Sequence, residues 1–379
     1  LLMTPVQGVS RIQKTMNTSI LRPPVALLCL VAACGAQDVA ARIDEYIQAH
    51  AKVQSFNGSV LVARKGKVVV SKGYGLANVE HDVPNTPRTK FRLGSITKQF
   101  TSMAIAQLAV RGKLSLEDTA RKYIPDAQES WSRVTLRHLL THTSGIPSFT
   151  SFPDYPQFKI EPAPPLELVA RFKNKPLEFE PGEKFKYNNS GYYLLGYIVE
   201  KASGQSYESY LKQNIFDPLE MKDTGYDTNS AIIKGRAAGY TLRGGGWVNA
   251  DYINMEVPGG AGALYSTVED LHRWDQALYT EKLVPRQMLE TIFTPCKGNY
   301  AFGWVVNKQL NHRVIRHGGG IEGFNTVIAR YPNERVCVIA LSNLNSGALD
   351  QIGDDLAAIV FGEPYELPRA RKEISVNPE

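Results

Sequence analysis

Apolar positions recur along this chain with two different periods, and the switches between them mark the predicted elements. Residues 39–50 carry a helical pattern. Residues 59–63 and 68–71 are short apolar runs on either side of Lys65-Gly66-Lys67, which reads as a hairpin turn. From Ser95 the period lengthens. Phe100, Met103, Ala104, Leu108 and Val110 form an apolar face at helical spacing, and Gly112 ends it. Residues 115–285 read as helix-rich, broken by Pro and Gly. Within them, 148–165 holds five prolines and several aromatics, the composition of either a cleft wall or surface filler. The last hundred residues return to short runs at 302–306, 313–316, 324–331 and 336–342, and 347–361 reads as a closing helix. Two strands near one end and four near the other predict one sheet built from both chain ends, with the helical middle inserted. No internal repeat is present, and residues after Pro364 read as a charged tail.

Composition narrows the class. The 379 residues suffice for one large or two medium domains, and 43% hydrophobic with 21% charged residues is ordinary for a soluble globular chain. Arg11, Lys14 and Arg22 lie in a first stretch, 1–36, that lacks Asp and Glu, so removing them takes the net charge from +6 to +3. A mildly basic body without a Lys/Arg-rich tract argues against a nucleic-acid partner. The first stretch itself reads as an export signal. Arg22 precedes an apolar run, 25–33, that is too short to span a bilayer. Val31-Ala32-Ala33-Cys34 reads as a lipobox in which Cys34 takes a lipid. Cys34-Gly35-Ala36 offers an ordinary cleavage site instead, and an uncleaved apolar leader is the bland alternative. The expectation is an exported protein, periplasmic or extracellular, tethered to a membrane if Cys34 is lipidated. Cys29 is in the leader. Cys296 and Cys337 could bridge, and Cys337 sits in an apolar run where a thiol behaves as a small hydrophobe.

Three short motifs carry the chemistry. In Ser95-Ile96-Thr97-Lys98, positions i and i+3 of a helix share a face, so the Lys98 amine can meet the Ser95 hydroxyl, and a hydroxyl needs such a proton acceptor to become a nucleophile. At a helix start, unpaired N–H groups also favour developing negative charge. The bland reading is a helix cap beside an incidental lysine, and Ser209-Tyr210-Leu211-Lys212 shows how cheap the pattern is. Tyr187-Asn188-Asn189 offers a phenol, which nearby ammonium groups would acidify into a proton relay, and an amide to hold a substrate. Tyr-x-Asn recurs at Tyr252 and Tyr331, so the setting of Tyr187 between Pro181-Gly182 and an apolar helix singles it out. His317-Gly318-Gly319-Gly320 follows a predicted strand, and a backbone N–H there, best at Gly320, could join that of Ser95 as an oxyanion hole. A tight turn with an exposed histidine is the bland alternative.

Other patterns fail on context. Gly318 to Gly323 spells a dinucleotide fingerprint, but a strand follows it rather than a helix. His138 and His142 have metal-ligand spacing without a third ligand, and no C-x-x-C, G-x-S-x-G or H-E-x-x-H occurs. No cofactor or metal is expected.

Taken together, the chain resembles the serine β-lactamase-related superfamily of class C β-lactamases, DD-carboxypeptidases, D-aminopeptidases and related esterases. The likeness rests on Phe91-Arg92-Leu93-Gly94-Ser95-Ile96-Thr97-Lys98-Gln99-Phe100-Thr101, on Leu136-Arg137-His138-Leu139-Leu140-Thr141-His142-Thr143-Ser144-Gly145, and on Tyr187-Asn188-Asn189-Ser190-Gly191-Tyr192. It spans residues 43–361. It implies an α/β (α+β) fold in which an antiparallel sheet faces a mostly helical domain across a cleft. The corresponding layout is a leader at 1–36, a sheet subdomain at 37–95 and 290–362, a helical subdomain at 96–289 and a tail at 363–379. It further implies Ser95 as the acylated nucleophile, Lys98 as its proton-abstracting partner and Tyr187 as a proton shuttle. Asn189, His317, Gly319 and Gly320 would bind substrate.

One departure bears on substrate. The lactamases of this superfamily place Lys-Thr-Gly where this chain has His317-Gly318-Gly319, so both the cation and the central hydroxyl that grip a substrate carboxylate are missing. An imidazole with a pKa near 6.5 supplies little charge at pH 7. Weak β-lactamase activity follows, with better turnover of neutral esters or D-amino-acid amides and improved turnover of anionic substrates below about pH 6.5. The rivals are a DD-carboxypeptidase or β-lactamase, and a catalytically silent protein that binds cell-wall material. The partner is a small-molecule or peptide substrate, and the oligomeric state is open.

Overall fold

Strict alternation splits the strand residues between two cores. In Gly58–Arg64, Val60 and Val62 face one way, while Leu61 and Ala63 face the other; in Val336–Ser342, Val336, Val338 and Ala340 oppose Cys337, Ile339 and Leu341. Both strands are therefore buried on both faces, which explains why their sequences are nearly continuous apolar runs. The computed structural model describes residues 25–162 and 164–369. These two strands lie in the middle of a six-stranded antiparallel sheet, whose order is Val305–Gln309, His312–Ile321, Phe324–Tyr331, Val336–Ser342, Gly58–Arg64 and Lys67–Tyr74. The ends of the body thus meet through the pairing of Gly58 with Ser342 down to Arg64 with Val336. A two-residue loop, Lys65-Gly66, closes the first hairpin, as the pattern predicts.

One face of the sheet is covered by Leu349–Phe361 and by Ile43, Tyr46 and Ile47 of the helix Val25–Lys52. The other face packs on the helical part, centred on Thr97–Val110. That helix is not amphipathic as expected: every residue from Thr97 to Leu108 is buried. Most of its polar side chains find partners inside, although Gln99 Nε2 and Gln107 Oε1 are buried without one. Thr101 Oγ1 donates to Gly260 O (2.6 Å), Trp274 Nε1 donates to Gln99 Oε1 (3.0 Å), and Gln107 Nε2 donates to Asn214 O (3.0 Å). Contacts join sheet and helices into a single unit from Val39 onward.

Several boundaries differ from expectation. The strand expected at 302–306 runs Val305–Gln309, because Phe302 and Trp304 turn into the core ahead of it. The strand expected at 313–316 runs His312–Ile321 and takes in His317 to Gly320, so those glycines are strand rather than turn. The middle also holds a hairpin, Tyr240–Arg243 with Gly246–Asn249, paired to Leu344–Asn345. Cys296 is exposed and Cys337 buried, and neither is bridged. The predicted leader lies outside the described residues up to position 24, and the predicted tail lies outside them from position 370. Among the described residues no helix is long and apolar enough to cross a membrane.

A buried ion pair fastens the sheet to the helical side. Arg330 Nε donates to Asp275 Oδ1 at 2.8 Å, with both side chains almost fully buried. Asp275→Ala is expected to cost about 3–5 kcal/mol in urea unfolding, because it strands a buried guanidinium. Replacing both partners by Leu and Met should recover most of that loss.

Candidate active site

Three ties clamp the segment around Ser95. Phe91–Arg92 pairs with Leu264–Ser266, Leu93 N–H donates to Leu264 O (2.8 Å), and Leu264 N–H donates to Thr97 Oγ1 (3.1 Å). Between them the 3₁₀ turn Gly94–Ile96 leads directly into Thr97–Val110, so Ser95 sits at a helix entrance without acting as its cap. The strand His312–Ile321 presses on the same turn. Gly94 has φ 53°, and a Cβ there would lie 2.9 Å from the Gly320 nitrogen; a Cβ on Gly319 would lie 2.0 Å from Leu93 O. Side chains at either place would push strand and turn apart. Pairing of Val305–Gln309 stops at Arg316, which leaves the following edge of the strand, His317 onward, unpaired beside Ser95 among the described residues.

Lys98 Nζ stands 2.9 Å from Ser95 Oγ and donates to Ala261 O at 2.8 Å. It is fully buried, and its hydrogen-bond partners include no carboxylate. Burial therefore pushes its pKa well below the ordinary lysine value, favouring the neutral amine. The ring of Tyr187 lies 4.9 Å from this nitrogen, and its hydroxyl is hydrogen-bonded to Ser95. Part of the Tyr187 side chain is open to the cleft, while its phenolic end is closely surrounded. The acidified phenol expected from sequence is corrected here. Burial raises the Tyr187 pKa, and the interaction with Ser95 opposes this only in part.

His317 is largely buried yet lines the second lobe beside Ser95, and it differs from expectation in its protonation. Its Nδ1 lies 2.6 Å from Gly318 O, and its Nε2 lies 2.9 Å from the Tyr300 hydroxyl. A carbonyl only accepts, so Nδ1 carries the proton and Nε2 accepts from Tyr300. Burial, with Lys98 adding to it, lowers the His317 pKa to about 4. The rise in anionic-substrate turnover expected below pH 6.5 is therefore withdrawn: the imidazole stays neutral through that range.

Asn189 donates through Nδ2 to Thr150 Oγ1 (3.0 Å) and lines the cleft together with Ser95, Gly320, Phe149 and Tyr155. The proline-rich segment 148–165 is thus a cleft wall. Its Lys159 bonds Glu322 across the cleft mouth at 2.6 Å. The space on this side measures 370 Å³. A second lobe of 420 Å³ runs along Ser95, Tyr187, Gly318, Gly319, Gly320 and Asp350.

Two residues escaped the sequence reading. His142, treated there as half of a failed metal pair, is buried with its ring 4.3 Å from Tyr187 and 4.4 Å from Tyr300, and its Nδ1 accepts from Asn188 N–H (3.1 Å). Its signal lay in the Thr141-His142-Thr143-Ser144-Gly145 stretch. Tyr300, the partner of His317, had no motif at all. His138, by contrast, caps its own helix by accepting from Thr135 N–H (3.2 Å). The control motifs separate cleanly: Lys212 pairs with Asp217 rather than Ser209, Tyr331 bonds Gln309, and Tyr252 is exposed.

A serine with a buried amine at its hydroxyl and a phenol beside it, between an antiparallel sheet and helices, defines a serine hydrolase of the β-lactamase and penicillin-binding-protein class. The chain belongs to the beta-lactamase family, whose profile matches residues 43–361. It is 33% identical over 338 residues to penicillin-binding protein 4* of Bacillus subtilis, covering 83% of this chain and 74% of that protein. It is 30% identical over 312 residues to Protein flp of Staphylococcus aureus, covering 79% of this chain but only 61% of that longer protein. The structure of the octameric penicillin-binding protein homologue from Pyrococcus abyssi is similar at TM-score 0.76 and 30% identity, over 87% of this chain and 79% of that one.

Two measurements probe the electrostatics. Nitrogen-detected NMR should find His317 neutral and protonated on Nδ1 down to pH 5, with its midpoint near 4. The folded pKa lies below the unfolded value of about 6.5, so the unfolded chain binds the extra proton first. Stability should accordingly fall as pH drops from about 6.5 toward 4, and His317→Asn should flatten that slope.

Proposed function

We propose that this chain is an exported acyl-enzyme hydrolase that cleaves neutral esters or D-amino-acid amides and peptides, with weak activity on β-lactams. The observation that carries the mechanism is the buried Lys98 amine at 2.9 Å from Ser95 Oγ. Its lone pair takes the hydroxyl proton as Ser95 Oγ bonds to the acyl carbon, so Lys98 rather than Tyr187 is the first base. The developing oxyanion is met by backbone N–H groups of Ser95 and Gly320. Tyr187 passes a proton to the departing oxygen or nitrogen, and water then releases the acyl group from Ser95. Asn189 keeps its amide oxygen for a substrate N–H, since its Nδ2 is committed to Thr150.

Charge around the cleft supports the substrate class. Neither lobe is lined by a Lys or Arg among the described residues; the charged side chains there are Glu322, paired with Lys159, and Asp350, paired with Arg316. A substrate carboxylate would meet two carboxylates and a neutral imidazole. The DD-carboxypeptidase or β-lactamase reading draws on the name of the Bacillus subtilis relative, and the silent binding protein remains the reading of another class. Export, by lipidation of Cys34 or by cleavage near Ala36, rests on the leader pattern and belongs to the same proposal.

A fluorophosphonate or penicillin probe should add to Ser95 and leave Ser95→Ala unmodified in mass spectra; an unlabelled folded protein would favour the silent binder. Lys98→Ala and Tyr187→Phe should each lower kcat/KM by about 10²–10⁴. p-Nitrophenyl butyrate should outrun nitrocefin, and a strong lactam preference would reverse the substrate assignment. Gly318 has room for a side chain, since a Cβ would meet nothing nearer than 3.5 Å. Gly318→Thr should therefore fold and raise the nitrocefin rate by restoring the missing hydroxyl.

A further inference from the structure

A 440 Å³ pocket is lined in part by Gly259 and Gly260, just ahead of Ala261, whose carbonyl accepts from Lys98. It shares no lining residue with the two lobes at Ser95. Four tyrosines form its walls. Tyr193 and Tyr207 are buried, Tyr197 and Tyr226 half-buried, and the rings of Tyr207 and Tyr226 stand edge to face with centroids 6.0 Å apart. Glu200 and Glu208 place carboxylates on the same space, with Glu256 also in the lining, and among the described residues no Lys or Arg lines it. Lys201, outside the lining, lies 5.0 Å from the Tyr197 ring centre, so that ring already receives one cation. Glu200 also accepts from Tyr207 N–H at 2.9 Å, which fixes carboxylate and ring together. The negative field is felt locally: after burial itself, Glu256, Glu200 and Glu208 raise the Tyr226 phenol.

Aromatic faces attract cations through the ring quadrupole, and carboxylates add net charge. A neutral or anionic ligand gains neither. We propose that this cavity is a second ligand site, separate from the hydrolytic one, that binds a small organic cation with an alkylated ammonium head. Its volume falls within the usual range for small-molecule sites, and its mixed lining offers ring surface to the ligand's methyl groups and carboxylates to its charge.

The test uses the full chain and two probes of equal shape. Choline carries the charge, and 3,3-dimethylbutan-1-ol replaces its nitrogen with carbon. Isothermal titration calorimetry should show saturable choline binding at millimolar concentration, with the alcohol at least about tenfold weaker. Glu208→Gln and Tyr197→Leu should each weaken choline several-fold. Both should keep wild-type hydrolysis of p-nitrophenyl butyrate, which shows that the fold and the Ser95 site are intact. Equal affinity for the two probes, choline binding unchanged in both variants, or no saturable choline binding would each overturn the assignment.

Discussion

Taking the Lys98 amine out of water without a carboxylate partner is the constraint from which the rest of the site follows. Its hydrogen-bond partners are the hydroxyl of Ser95 and the carbonyl of Ala261, neither of which carries charge. A buried ammonium so placed is costly, and losing its proton relieves the cost. The same desolvation acts on the neighbours. Burial, with Lys98 adding to it, drives His142 and His317 toward neutrality, and burial holds Tyr187 and Tyr300 protonated. The result is a group of titratable side chains around one hydroxyl whose charged forms are all disfavoured by burial.

That grouping exists because the sheet edge and the nucleophile turn touch. The strand His312–Ile321 can lie against Gly94–Ile96 only with glycine at 94 and 319, and Thr326 Oγ1 locks the contact by donating to Leu93 O at 2.7 Å. Because Val305–Gln309 stops pairing at Arg316, the strand's free edge begins where the catalytic turn needs it. The glycines of the His-Gly-Gly run thus serve two ends: Gly319 makes close packing sterically feasible, whereas Gly318 leaves space that a larger residue could fill. Gly318 and His317 both line the second lobe at Ser95, and Tyr300 holds the imidazole in place there.

Much of this was legible along the chain. The runs at 324–331 and 336–342 became strands with those bounds because residues buried on both sheet faces leave an unbroken apolar record. Ser95 and Lys98 were legible because a helix fixes the i, i+3 relation locally, whereas the prolines and aromatics of 148–165 fitted a cleft wall and surface filler equally, and only the packing of Phe149, Thr150 and Tyr155 at the cleft decided between them. The hairpin at 240–249 was passed over although Gly244, Gly245 and Gly246 between β-prone runs marked it, since the helix-rich context around it dominated the reading.

What the sequence by itself determined is therefore the short-range part: most element types, the pairing of the Ser95 hydroxyl with the Lys98 amine, and the absence of a cation and hydroxyl at 317–318. Tertiary structure alone decided the protonation states, the pairing of His317 with Tyr300, and the entry of His142 into the site. The physical reason is that a pKa depends on how much water and charge surround a group in space. Those surroundings come here from segments dozens to hundreds of residues apart, while periodicity and motif spacing report only on neighbours along the chain.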